Sequence, residues 1–362
     1  MNRSFISSSE YLAWRQFSAV RAASLVLMTV LVLLCCELLL RLPAVAQALP
    51  ARTYLHEPGI VMRVDALGRV VAQYGHVDVL FVGSSVVRCG IRPFDFDRAV
   101  GSSFGHPAVS FNAGLSGLWP SAVAFYLEHL WLPEAHPRIV VQGIRFGELY
   151  PSPRARKESA IFSGPLESLW RAPTPQNRVA AALVEHLRIL QYRGTLSSWL
   201  LAYQNGRPGD ENYDDMRVMT DPRGWTARYP TLDVVRARGL LKSERPYASD
   251  TNPMQDALAA IRASAAVSRR AGARYILVNV PEHAFRWSAP EGPSRYRAYV
   301  LSMTEMARAE GFEFIDVTQG DAQRFAEEAD YSDYHHMSPA GAERFTRLLA
   351  AAFGQRLAAQ GF

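Results

Sequence analysis

The sequence predicts an α/β domain with three layers, in which helices cover both faces of a parallel sheet. Three observations lead there. Five short apolar runs, over 78–82, 108–114, 138–143, 275–280 and 313–317, have the length and β-branched content of buried strands. Stretches with helical apolar spacing alternate with them, the pattern of βα units. The first three runs halt at Gly83, Gly114 and Gly143. Open α/β sheets carry their reactive groups just past the carboxyl ends of the strands.

The elements follow in chain order. Residues 1–21 hold Arg3, Arg15 and Arg21 and read as a cytoplasmic N-terminus. Residues 22–40, AASLVLMTVLVLLCCELLL, are apolar at about the 20 residues a membrane helix needs, with Glu37 the one charge. Arginines before such a segment stay cytoplasmic, so the body of the chain is expected on the other side, in the bacterial periplasm or outside the cell. Ala44-Val45-Ala46 and Ala46-Gln47-Ala48 also fit a signal-peptide cleavage site. The length of the apolar run, with Arg41 and Pro43 after it, favours an uncleaved anchor in the inner membrane. Residues 41–75, with Pro50, Pro58 and Gly59, read as a linker.

The domain proper is expected over 76–362. Its first strand ends at Gly83-Ser84-Ser85, placing a serine on a tight turn. A helix is expected over 121–132 with Ser121 as N-cap. The alternation lapses over about 150–252, which reads as an insertion with a helix pair near 177–203 and with Trp170, Trp199 and Trp225. Core packing suits these tryptophans better than stacking on sugar rings. Helices over 253–271 and 293–309 follow. Glu282-His283, after a strand end, read as turn residues rather than site residues. The last helix starts at Ser338-Pro339, an N-cap followed by a proline at the first helical position.

Composition narrows the function. Of 362 residues, 49% are hydrophobic and 20% charged, so a core can form. The net charge of +5 is spread along the chain without a basic block, which argues against nucleic acid. Cys35, Cys36 and Cys89 offer the soluble part no internal disulfide, and no Cys/His cluster has zinc spacing, so no metal is expected. No glycine-rich nucleotide loop follows a strand, and no cofactor is implied.

The chemistry-bearing residues form a series. Ser85 follows the first strand, and Asp333-Tyr334-His335-His336 stands in the loop before the last helix. A serine nucleophile needs a base within reach and a carboxylate that fixes the base's tautomer, and a D-x-x-H loop supplies both. With Gly114 and Gly143 closing the second and third strands, the series resembles the SGNH/GDSL hydrolase superfamily. That resemblance implies a flavodoxin-like α/β/α fold, Ser85 as nucleophile, His336 as base, Asp333 as its orienter and the Ser85 and Gly114 amides as oxyanion donors. Two departures stand out: Gly83-Ser84-Ser85 replaces G-D-S, and Gly143-Ile144-Arg145-Phe146 lacks the usual asparagine donor. Arg145 or Asn112 would take that donor's place, and Arg88 is a further substrate-contacting candidate. The Gly-Ser-Ser form, single anchor and long insertion look like the membrane-anchored envelope branch, which includes DltD-like proteins and SGNH partners of membrane-bound O-acyltransferases. This implies acyl esterase or transferase chemistry on an envelope or exported polysaccharide, with an acylated glycan or other acyl donor or acceptor as partner. The other class of reading is a non-catalytic assembly or glycan-binding partner of a membrane acyltransferase.

Overall fold

The computed structural model describes residues 8–48, 58–149, 174–192, 220–227, 252–288 and 290–359. The chain divides into two compact units, Met1–Tyr54 with Ser168–Gly206, and Leu55–Glu167 with Arg207–Phe362. Most of the expected insertion, residues 150–173, 193–219 and 228–251, lies outside the described residues.

The first unit holds the helix Ser8–Arg41. Its stretch Val20–Arg41 has a mean hydropathy of 2.6 and is long and apolar enough to cross a membrane. At 1.5 Å per residue it extends roughly 33 Å, close to the thickness of a bilayer's hydrocarbon core. Glu37 near its end is satisfied within the unit. Its carboxylate accepts the backbone N–H groups of Arg188 at 3.0 Å and Ile189 at 2.9 Å, and Arg41 Nε at 2.8 Å. Those backbone groups open the helix Arg188–Gln191, which follows the helix Pro175–His186. The expected helix pair is present up to residue 192; its remainder, with Trp170 and Trp199, lies outside the described residues.

The second unit is built on five strands: β1 (Val79–Gly83), β2 (Ser110–Asn112), β3 (Ile139–Ile144), β4 (Arg274–Asn279) and β5 (Glu313–Ile315). All neighbours are parallel, in the order β2-β1-β3-β4-β5, the flavodoxin-like order. Side chains alternate between two cores, as the pleat requires. Leu80, Val82, Val140 and Leu277 face one core, with Ile60, Leu67, Trp131, Ile261 and Met303. Val79, Phe81, Val141, Ile276 and Val278 face the other, with Phe96, Phe345 and Phe353. Burial on both faces explains the unbroken apolar runs.

Two expectations change. Much of the stretch read as linker is the helix Pro58–Tyr74, and Ile60, Leu67 and Val70 are buried in the first core. Pro58 does not break it because proline is at home in a helix's first turn, where its missing N–H would have no partner. The helix expected from Ser121 starts one residue earlier, at Pro120, with Trp119 at the cap and no side-chain cap bond; it continues through a π-helical segment, Leu127–Trp131.

Candidate active site

Ser85 opens the helix Ser85–Gly90 directly after β1, next to β3. This is where the strand order reverses, the crevice of such sheets. Two glycines seat the helix. Gly83 has φ +145°, and a Cβ there would lie 2.5 Å from the Gly143 carbonyl oxygen and 2.6 Å from Val87 Cγ2. A Cβ on Gly143 would strike Val87 Cγ2 as well. Both strand ends therefore leave room for Val87, which draws the helix and its first residue down onto the sheet.

Asn112 ties the far end of that helix. Its Nδ2 donates to the Val87 carbonyl at 2.8 Å and to the Ile91 carbonyl at 2.7 Å, and its Oδ1 accepts the Gly114 N–H at 2.9 Å. Both amide hydrogens are thus engaged, and Asn112 is a buried strut rather than an oxyanion donor. The Gly114 N–H turns to Asn112, while Gly114 backs onto the Arg88 backbone, where a Cβ would come within 2.5 Å of the Arg88 nitrogen. Arg88 is half-buried on the Ser85 helix, and its carbonyl accepts the Thr226 N–H at 3.1 Å. Trp225 donates its indole N–H to the Cys89 carbonyl at 2.8 Å, and the Arg92 guanidinium stands 5.0 Å from its ring centre.

The D-x-x-H loop comes from the other end of the chain. Tyr331 and Met337 bridge antiparallel, and the Ser332 N–H donates to the His336 carbonyl at 2.8 Å, closing residues 331–337 into a tight loop. Ser338 Oγ accepts the Gly341 N–H at 3.1 Å and caps the last helix, Pro339–Ala359. His336 Nε2 lies 2.7 Å from Ser85 Oγ, and His336 Nδ1 lies 2.7 Å from Asp333 Oδ2. Asp333 Oδ1 accepts the backbone N–H groups of His335 at 3.0 Å and His336 at 2.8 Å. Burial opposes ionisation of Asp333, but the hydrogen bond to His336 and the two backbone N–H bonds outweigh it. They hold its carboxyl well below the usual range. An ionised Asp333 keeps the proton on His336 Nδ1, leaving Nε2 to accept from Ser85.

His335, the alternative base, is held neutral by burial and by the charges of His336, Arg145 and Arg286. The ligating atoms of Asp333, His335 and His336 lie within 4.8 Å of one another, as a metal would need. Both ring nitrogens of His336 are engaged by Ser85 and Asp333, however, which is the wiring of a proton relay.

Arg145 is also redrawn. It is 8% exposed and its Nη1 pairs with Glu282 at 2.7 Å, while its Nε stands 3.7 Å from Glu148. Glu282 in turn pairs with Arg286 at 3.3 Å and accepts the Gly147 N–H at 3.3 Å. Glu148 accepts the Ser84 hydroxyl. Burial pushes the Glu148 carboxyl up to about 7, against the pull of Arg145 and of the Ser84 hydroxyl. Arg145 thus belongs to a buried charged cluster beside the relay.

No protein-family model and no curated protein sequence matches the chain. Among solved structures it is similar to a catalytic mutant of Axe2, an acetylxylan esterase from Geobacillus stearothermophilus, at 12% identity and a TM-score of 0.40, over 78% of this chain and 94% of that one. It is also similar to a GDSL-like lipase from Bacteroides thetaiotaomicron, at 10% identity and a TM-score of 0.35, over 82% and 98% of the two chains.

Sequence reading passed over Glu148 and Arg286 and set Glu282 aside as a turn residue. A faint signal was present: Arg145 and Glu148 stand three residues apart just past a buried strand, where a charge has to find a partner.

Proposed function

We propose that the chain is a serine-dependent acyl esterase or acyltransferase that works through an acyl-Ser85 intermediate. The observation that carries this reading is the continuous relay from Ser85 Oγ through His336 to Asp333, with both contacts at 2.7 Å. In the first half-reaction Ser85 Oγ attacks the ester carbonyl while His336 Nε2 takes its proton. The imidazolium then protonates the departing alcohol, leaving the acyl group on Ser85. In the second half a hydroxyl, from water or a sugar, attacks that ester, and His336 again accepts and returns the proton. The Ser85 amide, at the first helical position where a backbone N–H has no intrahelical acceptor, supports the oxyanion. Gly114 is the second donor once its N–H leaves Asn112, and Arg88 borders the acyl site.

The place of action in this proposal is the envelope. The apolar stretch over 22–40, with Arg3, Arg15 and Arg21 before it in sequence, supports a single-pass inner-membrane anchor and a periplasmic domain. A cell-envelope or exported polysaccharide is then the acyl acceptor or the acylated substrate, and a membrane-bound O-acyltransferase a fitting donor partner. A second reading, a non-catalytic glycan-holding partner, is favoured by one observation: Arg145 stands where an asparagine donor would be and is tied to Glu282.

A fluorophosphonate serine probe separates the two. The enzyme reading expects wild-type labelling that disappears in Ser85→Ala and His336→Ala. Absence of labelling in folded wild type overturns it and favours the holding partner.

A further inference from the structure

Two histidines and an aspartate meet at the opposite, amino end of the sheet. Asp78 stands just before β1, His76 two residues earlier, and His106 in the turn before β2. The Asp78 side chain is 1% exposed, and those of His76 and His106 are 43% and 39% exposed. His76 Nε2 lies 3.5 Å from Asp78 Oδ2, and His106 Nε2 lies 3.5 Å from Asp78 Oδ1. The ligating atoms of all three residues lie within 4.8 Å of one another. Asp78 Oδ2 also accepts the Val109 N–H at 2.9 Å, which fixes the carboxylate.

Direct hydrogen bonding does not account for this cluster. Asp78 Oδ1 and His76 Nε2 are buried atoms with no hydrogen-bond partner among the described residues. His106 Nδ1 lies 3.1 Å from the Pro107 carbonyl, a contact that only a protonated Nδ1 makes. His106 Nε2 faces the Asp78 carboxylate, as does that of His76, so a cation placed among them would engage all three side chains. A carbonyl holding one imidazole N–H so that the other nitrogen can ligate is the usual outer support of a metal-bound histidine. Each 3.5 Å contact, one to either oxygen of Asp78, matches the roughly 3.3–3.6 Å that zinc bonds of about 2.0–2.2 Å in tetrahedral geometry put between ligand atoms.

We propose that His76, Asp78 and His106 bind a divalent transition-metal ion of the zinc class, with one coordination position left open. The site joins the turn 101–108 to the base of β1. It stands a strand's length, roughly 16 Å for five residues, from the Ser85 end, so its role is to clamp the fold. Its ligands come from separate segments, two and then twenty-eight residues apart, and so show no zinc spacing in sequence.

The full-length chain in detergent, stripped with a chelator and titrated with zinc, tests this by bound metal per chain and by thermal midpoint. One zinc per chain and a raised midpoint are expected in wild type. Both are expected to vanish in His76→Ala and in His106→Ala, whose circular dichroism should match wild type because both rings are partly exposed. His335→Ala, at the other end of the sheet, should keep its zinc. A wild type that binds none, zinc retained by both His76→Ala and His106→Ala, or loss only in His335→Ala would each overturn the proposal. None of these outcomes depends on Ser85 chemistry.

Discussion

Two adjacent serines past β1 stand in opposite environments. Ser85 meets His336, a base whose other nitrogen is held by an ionised Asp333. Ser84 meets Glu148, a buried carboxyl raised to about 7 and backed by Arg145, Glu282 and Arg286. The first region can remove a proton from its serine and pass charge outward. The second donates into a carboxyl and locks the end of β3 to the loop after β4. One residue of register therefore separates a reactive group from a fastening one, and the partner decides which is which.

The largest effect that would break this contrast is on Ser85 itself. Ser85→Ala or His336→Ala should lower ester turnover by roughly 10⁴–10⁶-fold, as for other members of such relays. Turnover assays on a small aryl ester check it, and an unchanged rate in Ser85→Ala with loss in Ser84→Ala would reverse the assignment. Asp333→Asn keeps the loop's shape but removes the charge that sets the tautomer, and should cost on the order of 10³–10⁴-fold in kcat.

The seat of the helix is the next test. Gly143→Ala drives a methyl into Val87, and Gly83→Ala adds a clash with a backbone oxygen at positive φ. Each should destabilise by roughly 2–5 kcal/mol, measured by thermal or denaturant unfolding.

The charged region makes a pH prediction. Glu148 has a folded pKa of about 7 against an ordinary 4.5. The folded state therefore holds a proton that the unfolded state has lost, and stability falls as pH rises from about 4.5 through 7. Glu148→Gln removes this dependence. Its melting point relative to wild type should climb between pH 5 and pH 8, by up to about 3 kcal/mol of stability. A difference that stays flat with pH would contradict the raised pKa. Ser84 also caps the Ser85–Gly90 helix, its Oγ accepting the Val86 N–H at 3.3 Å, and Ser84→Ala is expected to be mildest, near 1 kcal/mol for the lost cap and less than tenfold in turnover.

These two regions also differ in how far sequence discloses them. The relay's base and orienter lie three residues apart in one loop, next to a helix start marked by Ser338-Pro339, so a short pattern captures both. The strands showed themselves because burial on both faces demands continuous apolar residues. The charged cluster draws on Ser84, Arg145, Glu148, Glu282 and Arg286, segments far apart in sequence that only the β1-β3-β4 pairing brings together. Asn112 looked like a donor for want of its partners, the carbonyls of Val87 and Ile91, which only the packed helix supplies. The helix Pro58–Tyr74 was hidden because Pro58 and Gly59 signal a break, whereas its apolar stripe has meaning only against the sheet it covers.

The central claim is that Ser85 carries the acyl group. Brief incubation of the full-length chain with an activated acetyl ester, acid quench and peptide mass analysis reads this directly. The account predicts an acetyl-sized mass increase on the peptide containing Ser84 and Ser85, fragmented to Ser85, absent in Ser85→Ala and prolonged when acceptor alcohol is withheld. Acetyl on Ser84, or an unmodified peptide during measurable ester turnover, would contradict it.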